Sequence, residues 1–521
     1  MQRYHILWAD DEIDFLKPHL LFLEKKGYEV TAVNSGTEAV EECEEQNFDV
    51  VFLDENMPGM SGLEALQEIK SLRPATPVVM VTKSEEEYIM EEAIGSQITD
   101  YLIKPVKPNQ VLLSLKKILD HRRIVTEKTN HNYQREFREI SMTLNDQMDY
   151  EDWAEVYRKL VYWEIEIEKT ENKSMKEVLE MQKDEANVHF LKFIRDNYAY
   201  WLNQAPEDER PMLSHELMGK YVFPMLREGN TPLFFILIDN LRLDQWRVLE
   251  SEISSYFRIQ SEQSYYSILP TTTAFARNAI FSGRLPLDIS ENLPQYWVND
   301  GEDGKKNNFE AELLTEQLKR AGLGQLKTDY HKILRHEQGV KLSENVKALL
   351  QNDFTAIVYN FVDMLSHART DTTIIRELAP DEAAYRSVTR SWFLHSSLFD
   401  LLRQLSAAGA RVILTTDHGT IRTKRPYKIV GDRDTNTNLR YKHGRNLTYK
   451  DKNVLVAHKP KEFHLPKTTL SGTYVFASED YFFAYPNNYN YYVNYYKDTF
   501  QHGGVSLEEV IIPLISLEAR Q

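Results

Sequence analysis

Cysteine is nearly absent. Cys43 stands alone in 521 residues, so no intrachain disulfide can form and stability must come from packed cores. Long apolar runs are missing as well. The apolar stretches are short, residues 233–238 and 354–362 among them, and none approaches the roughly 20 residues that a membrane-spanning helix needs. Basic charge is in deficit: 62 Lys and Arg against 79 Asp and Glu leave a formal net charge of −17. That balance argues against duplex-DNA binding through a broad basic face, although a small basic pocket stays open. The N-terminus, MQRYHILWADDE, carries no signal-peptide pattern. The expectation is a soluble, cytoplasmic protein with no membrane insertion. What is present is enough chain for about three domains, and 42% hydrophobic residues to build their cores.

The first third alternates apolar strands with helix-like stretches, the pattern of a parallel α/β sheet. Residues 4–9 end in Asp10-Asp11, residues 48–53 in Asp54, residues 77–81 in Thr82, and residues 100–103 in Lys104-Pro105. In such sheets the chemistry sits at the carboxyl ends of the strands. Asp10 and Asp11 can hold Mg²⁺ together with Asp54, and the metal would offset the charge of a phosphoryl group on Asp54. Thr82 and Lys104 can grip the phosphoryl oxygens. With the loop Met57-Pro58-Gly59-Met60-Ser61-Gly62 following Asp54, residues 1–120 resemble the receiver domain of two-component response regulators. That resemblance implies a doubly wound fold, phosphorylation of Asp54 by a sensor histidine kinase, a switch aromatic at Tyr101, and homodimerisation on phosphorylation.

Residues 121–210 are expected to form a helical middle domain. Stretches such as DWAEVYRKLVYWEIEIEK carry apolar residues at three- and four-residue spacing, the mark of amphipathic helices. Trp153, Tyr157, Trp163 and Trp201 are expected between packed helices. No helix-turn-helix signature occurs there.

From about residue 211 strands and helices alternate again. Residues 233–238 run into Asp239, residues 354–362 into Asp363 with His367 four residues on, and residues 411–416 into Asp417-His418-Gly419; His502 opens His502-Gly503-Gly504. Each metal candidate is expected to end an apolar strand, so that all converge on one sheet edge. Leu269-Pro270-Thr271-Thr272-Thr273 offers a hydroxyl nucleophile. Carboxylates and imidazoles in this mix suit zinc or manganese, and three His lean toward zinc. A metal pair can activate a hydroxyl and stabilise charge on a phosphoryl group. With Ser282-Gly283-Arg284 and Glu508-Glu509, the set resembles the alkaline phosphatase superfamily, and more closely its PglZ branch. The resemblance implies two Zn²⁺, one held by Asp239, Asp417 and His418, the other by Asp363, His367 and His502. Thr271 is favoured as nucleophile for its place after Pro270, with Thr272 next; ungapped alignment on Gly283 points instead to Thr273.

Residues 420–461 hold twelve Lys and Arg against three Asp, which reads either as attraction for a phosphorylated substrate or as a solvated insertion. Residues 481–496 hold seven tyrosines, expected to pack as strands, with base stacking as the alternative.

The order receiver, helical middle, PglZ-like domain resembles response regulators linked to type IX secretion and gliding in Bacteroidetes. It implies a zinc-dependent phosphodiesterase acting on nucleotide or oligonucleotide substrates, and contact with secretion-system components or a sigma factor. The competing reading is a signalling adaptor whose PglZ-like domain binds metal and protein partners without significant catalysis. A phosphomutase is a third class that no residue selects.

Overall fold

A computed structural model describes residues 4–520 except 84–97, 171, 230–231, 300–305, 433–434, 468–471 and 485–487. Two compact units emerge, Met1–Gln134 and Arg135–Gln521. Among the described residues no helix is long and apolar enough to cross a membrane.

In the first unit, strands β1 (His5–Ala9), β2 (Glu29–Val33), β3 (Val50–Asp54), β4 (Val78–Thr82) and β5 (Asp100–Ile103) form a parallel sheet in the order β2-β1-β3-β4-β5. Alternation along the strands feeds two cores. Leu7, Val51 and Leu53 face one side with Ala65 and Ile69; Ile6, Trp8, Phe52 and Val79 face the other with Val111 and Leu115. Such two-sided burial explains why these strands are continuously apolar. Helix α1 spans Lys17–Lys25, α2 Gly36–Glu45 and α3 Gly62–Leu72. Ser61 caps α3 through a capping box with Glu64. Gly62 is required there, because a Cβ would lie 2.1 Å from the carbonyl oxygen of Asp54.

Helix α4 spans Pro108–Leu144, α5 Tyr150–Glu168 and α6 Lys173–Asn203. The latter two belong to the second compact unit. Trp153, Tyr157, Trp163 and Trp201 are all buried, and Trp153 packs edge-on against Phe190 at 5.2 Å. These aromatics are core, as their helical spacing requires.

The second unit is built on β6 (Leu233–Ile238), β7 (Phe257–Tyr266), β8 (Thr328–Ile333), β9 (Phe354–Tyr359), β10 (Arg411–Thr415) and β11 (Ile511–Ala519), in the order β7-β11-β10-β6-β9-β8. The run β10-β6-β9-β8 is parallel, and β11 joins β10 and β7 antiparallel. Because β6, β9 and β10 are parallel neighbours, the residues after them share one edge. Asp239 and Asp417 sit there as expected. Asp363 does not end a strand: β9 stops at Tyr359, and Asp363 and His367 lie on helix α9 (Phe361–Asp371). Their four-residue spacing puts both on one helix face.

The tyrosine-rich stretch also departs from expectation. Tyr481 lies in a short strand, but Tyr489–Tyr496 is a helix in which no residue is buried. Ring stacking at four-residue spacing, Tyr491 on Tyr495 and Tyr492 on Tyr496, suits helical rather than strand geometry. Tyr485 and Arg433 lie outside the described residues.

Candidate metal-dependent site

In the first unit the strand ends place Asp10, Asp11 and Asp54 so that one oxygen from each lies within 4.8 Å of the others. Lys104, just beyond β5, sets its Nζ 2.9 Å from Asp10 Oδ2 and 2.8 Å from Asp54 Oδ2. Burial pushes Asp54 above the ordinary carboxylate range, with the Asp10 and Asp11 charges adding to it and Lys104 opposing. Crowded carboxylates of this kind, two buried and Asp11 exposed, fit a divalent cation. Thr82 ends β4 and donates its hydroxyl hydrogen to Glu55. Tyr101 on β5 is 42% exposed.

In the second unit two triads form. Asp239, Asp417 and His418 offer ligand atoms within 4.8 Å of one another, and so do Asp363, His367 and His502. The triads adjoin: the His418 and His502 rings stack with centroids 4.3 Å apart. Asn240 links them, its backbone N–H donating to Asp417 Oδ1 at 3.4 Å and its side-chain amide to Asp363 Oδ1 at 3.3 Å. Two imidazoles are pre-oriented. His418 Nδ1 lies 3.0 Å from the Gly419 carbonyl oxygen, and His502 Nδ1 lies 3.2 Å from that of Thr271. With Nδ1–H donated to these carbonyls, each Nε2 lone pair faces the carboxylates, the arrangement usual for metal-bound histidine.

The electrostatics fit cations as well. Burial holds Asp239 well above the ordinary range, reinforced by Asp417 and Asp363 against the pull of Arg277. Asp417 Oδ2 is buried and accepts no hydrogen bond. Burial and the neighbouring His418 and His367 push His502 well below the ordinary histidine range, which keeps its ring neutral and able to ligate. Three oxygen and three imidazole donors suit zinc, with manganese as alternative.

The three threonines separate clearly. Thr271 is fully buried; its hydroxyl donates to the Gly504 carbonyl at 3.0 Å and accepts from Gly503 N–H at 3.0 Å. Thr272 caps helix α8 (Thr273–Ser282), and its hydroxyl makes no hydrogen bond. Thr273 Oγ1 lies 3.4 Å from Asp239 Oδ1 and 3.1 Å from His418 Nε2. This departs from the preference for Thr271. Its position after Pro270 puts the hydroxyl against the His502 loop instead of among the ligands.

Thr273 and Ala274 bring the N-terminus of α8 to an open cavity of about 590 Å³, also lined by Thr272, Lys306, Lys332, Asn360 and Tyr441. The partial positive charge of a helix N-terminus suits a phosphoryl group. One turn along α8, buried Arg277 donates to Asp239 Oδ2 at 2.9 Å and pairs with Glu310 Oε1 at 2.9 Å. Lys332 Nζ meets the other Glu310 oxygen at 2.8 Å, and the Asn360 amide donates to Asp239 Oδ2 at 2.7 Å. Sequence reading passed over Arg277, Glu310, Lys332 and Asn360. Only Arg277 carried a signal, its four-residue spacing from Thr273.

The basic stretch, among the described residues, does not reach this cavity through its cations. Among the described residues it contributes Asn436, Thr437, Asn438 and Tyr441. Arg440 is buried against Glu509, Arg425 pairs with Glu479 and Asp480, and Arg422 pairs with Asp498. Three of its twelve cations are thus internal ion-pair partners.

The middle helices clasp the ligand loops. Arg386 bonds Glu164 at 2.7 Å, Glu168 at 2.6 Å and Asp244 at 2.8 Å. Arg242, three residues past Asp239 and at the start of helix α7 (Leu243–Ile253), pairs with Asp244 and Glu382. Asn187 on α6 accepts from Leu507 N–H at 2.8 Å, and Tyr198 accepts from Leu269 N–H at 2.8 Å. Gly419 is pressed against the same region, where a Cβ would lie 1.9 Å from the Glu508 carbonyl oxygen.

Comparison with known proteins gives three family matches along the chain. A family model of the response regulator receiver domain matches residues 6–116, one of the PorX response regulator linker domain matches residues 123–202, and one of the BREX system PglZ alkaline phosphatase-like domain matches residues 217–517. The transcriptional regulatory protein ZraR of Escherichia coli K12 is 37% identical over 124 residues, 24% of this chain and 28% of that protein. ResD of Bacillus subtilis is 33% identical over 114 residues, 22% of this chain and 47% of that protein. The chain therefore spans less than half the length of these curated relatives. A CheY-like receiver domain protein from Methanospirillum hungatei shares 29% identity over 23% of this chain and 96% of its own, with a TM-score of 0.23. The PglZ match takes in more than half of the sequence, and with the linker and receiver matches ahead of it the chain belongs to the PorX-type response regulators, which join a receiver domain to a PglZ alkaline phosphatase-like domain.

Proposed function

We propose that this protein is a phosphorylation-controlled phosphodiesterase that cleaves nucleotide or oligonucleotide substrates. The observation that carries the reading is the pair of adjoining ligand triads with the Thr273 hydroxyl beside the first. Zinc held by Asp239, Asp417 and His418 and by Asp363, His367 and His502 would supply Lewis acidity for phosphoryl transfer and would lower the hydroxyl pKa. Thr273 Oγ attacks phosphorus, its bond to phosphorus forming as one ester P–O bond breaks. The released alcohol takes up the proton that Thr273 gives to solvent. Water then attacks the phosphothreonine, restoring Thr273 and releasing a monoester. The α8 N-terminus holds phosphoryl oxygens during both displacements, and Arg277 holds the Asp239 carboxylate in place.

Purified protein is expected to contain about two zinc per chain by mass spectrometry and to turn over bis-p-nitrophenyl phosphate. Asp417→Ala should retain about one zinc and lose turnover, because Asp417 belongs to the first triad alone. Metal without turnover in the wild type would overturn the enzyme reading and leave the adaptor.

Control enters at Asp54, phosphorylated by a sensor histidine kinase with Mg²⁺ held by Asp10, Asp11 and Asp54. Thr82 and Lys104 then turn to the phosphoryl group, Tyr101 reorients, and a homodimer forms that engages the type IX secretion machinery or a sigma factor. Asp54→Asn should take up no phosphoryl group from acetyl phosphate and stay monomeric by light scattering under conditions that dimerise the wild type. Dimerisation of the Asn variant by acetyl phosphate would remove Asp54 from the switch.

A further inference from the structure

Both chain segments that flank the Asp363–His367–His502 triad lead into one aromatic and cationic surface. Helix α9 is followed by helix α10 (Thr373–Leu378), and helix α11 (Tyr489–Tyr496) leads through Phe500 and Gln501 to His502. Five of the eight α11 residues are tyrosine and none is buried. Tyr491 is 64% exposed and Tyr492 38%. Tyrosine, asparagine and valine are mediocre helix formers, and these tyrosines fill no core, so neither propensity nor packing accounts for the composition. Paired stacks, Tyr491 on Tyr495 and Tyr492 on Tyr496 at 6.1 Å each, hold the rings in order.

Three arginines lie beside this helix. The Arg376 guanidinium on α10 is 6.0 Å from the Tyr495 ring. Arg422 reaches Asp498 at 3.1 Å. Arg369 lies 4.9 Å from the Phe500 ring and donates to the carbonyls of Ala379, Pro380 and Asp498. Arg376 Nε and Arg422 Nε are buried and make no hydrogen bond. Among the described residues Asp498 is the one carboxylate paired with any of the three. Arg422 and Arg369 already have partners, whereas Arg376 donates only to the Thr370 carbonyl, at 2.7 Å, among the described residues, which leaves its guanidinium beside the tyrosines as the cation for an anionic ligand.

We propose that this surface binds single-stranded oligonucleotide, with Tyr491 and Tyr492 stacking on bases and Arg376 holding phosphate, and that it leads the strand toward the cavity that His502 lines. Tyrosine faces accept any base, and the guanidinium fork matches phosphate oxygens. An acidic peptide would meet the arginines but leave the rings unused. The delivery of the strand to the cavity rests on the phosphodiesterase reading; the binding does not.

The test is fluorescence anisotropy of the full chain with a labelled eight-nucleotide single strand carrying phosphorothioate linkages, beside turnover of bis-p-nitrophenyl phosphate. Joint Tyr491→Ser and Tyr492→Ser substitution should weaken binding at least about tenfold, and joint Tyr491→Trp and Tyr492→Trp substitution should restore it. Arg376→Ala should weaken binding and flatten its salt dependence. Turnover of the small diester should stay as in the wild type for all three variants. Affinity within twofold of wild type in the serine variant would overturn the proposal. So would displacement of the strand by polyglutamate with equal strength in wild type and serine variant, which marks a site for acidic protein. Tyrosine-dependent binding without turnover in the wild type would remove the phosphodiesterase and keep the surface.

Discussion

Thr273→Val is expected to lower hydrolysis of bis-p-nitrophenyl phosphate by at least about a thousandfold, the scale seen when a nucleophile acting with its partners is removed, while zinc content stays near wild type. Valine matches threonine in shape, so the change removes the hydroxyl 3.1 Å from His418 Nε2 and 3.4 Å from Asp239 Oδ1 and little else. Thr271→Val makes a different expectation. It breaks the bonds to Gly503 N–H and the Gly504 carbonyl and leaves buried groups unpaired, at a cost of about 1–3 kcal/mol. Those glycines follow His502, so the loss should fall on zinc affinity and be recovered at high zinc. Thr272→Val should be close to neutral for stability, because its hydroxyl makes no hydrogen bond. The discriminating measurement is kcat against zinc concentration. Should Thr271→Val stay as inactive as Thr273→Val at saturating zinc, Thr273 would lose its assignment.

The reach of the sequence follows from what each feature depends on. The receiver fold was legible because a parallel sheet buried on both faces demands continuous apolar strands, and its chemistry must then follow the strand ends: Asp54 closes β3, Thr82 closes β4, and Lys104 follows β5. The same logic located Asp239 and Asp417 after β6 and β10. It failed where position depends on tertiary contact. Phe361 and Val362 look like the end of a strand, yet the chain turns into α9 at that point. Arg277 is one more polar residue on a helix until α8 lies over β6 and the guanidinium meets Asp239. Arg440 and Glu509 are 69 residues apart, so twelve basic residues looked like a field for substrate when several were internal ion-pair partners. The α11 tyrosines misled for a related reason: their strand preference reflects packing on a half-buried surface, and no such surface covers them.

Glu509→Ala is expected to cost about 3–5 kcal/mol, the usual range for stranding one partner of a buried ion pair. Glu509 and Arg440 are both fully buried, with Arg440 Nη2 2.6 Å from Glu509 Oε2 and Nε 3.2 Å from Oε1. Glu509 also accepts from Gly504 N–H at 2.9 Å and from the Ser506 hydroxyl at 2.8 Å. Alanine therefore leaves a guanidinium without its carboxylate and frees the loop that carries His502. Calorimetry should register a fall in Tm of about 4–6 °C for a unit of this size, and zinc at the Asp363–His367–His502 triad should weaken while the Asp239–Asp417–His418 triad keeps its metal. The double change Arg440→Met with Glu509→Leu separates the two effects. Removing both charges avoids the stranded cation and should return much of the Tm, but Gly504 N–H and Ser506 still lack their acceptor, so zinc at the second triad stays weak. A Glu509→Ala protein that melts within a degree of wild type would show that the pair does not hold this loop. The geometry of His502 would then depend on the Thr271 contacts alone, and the loss of zinc affinity would pass to Thr271→Val.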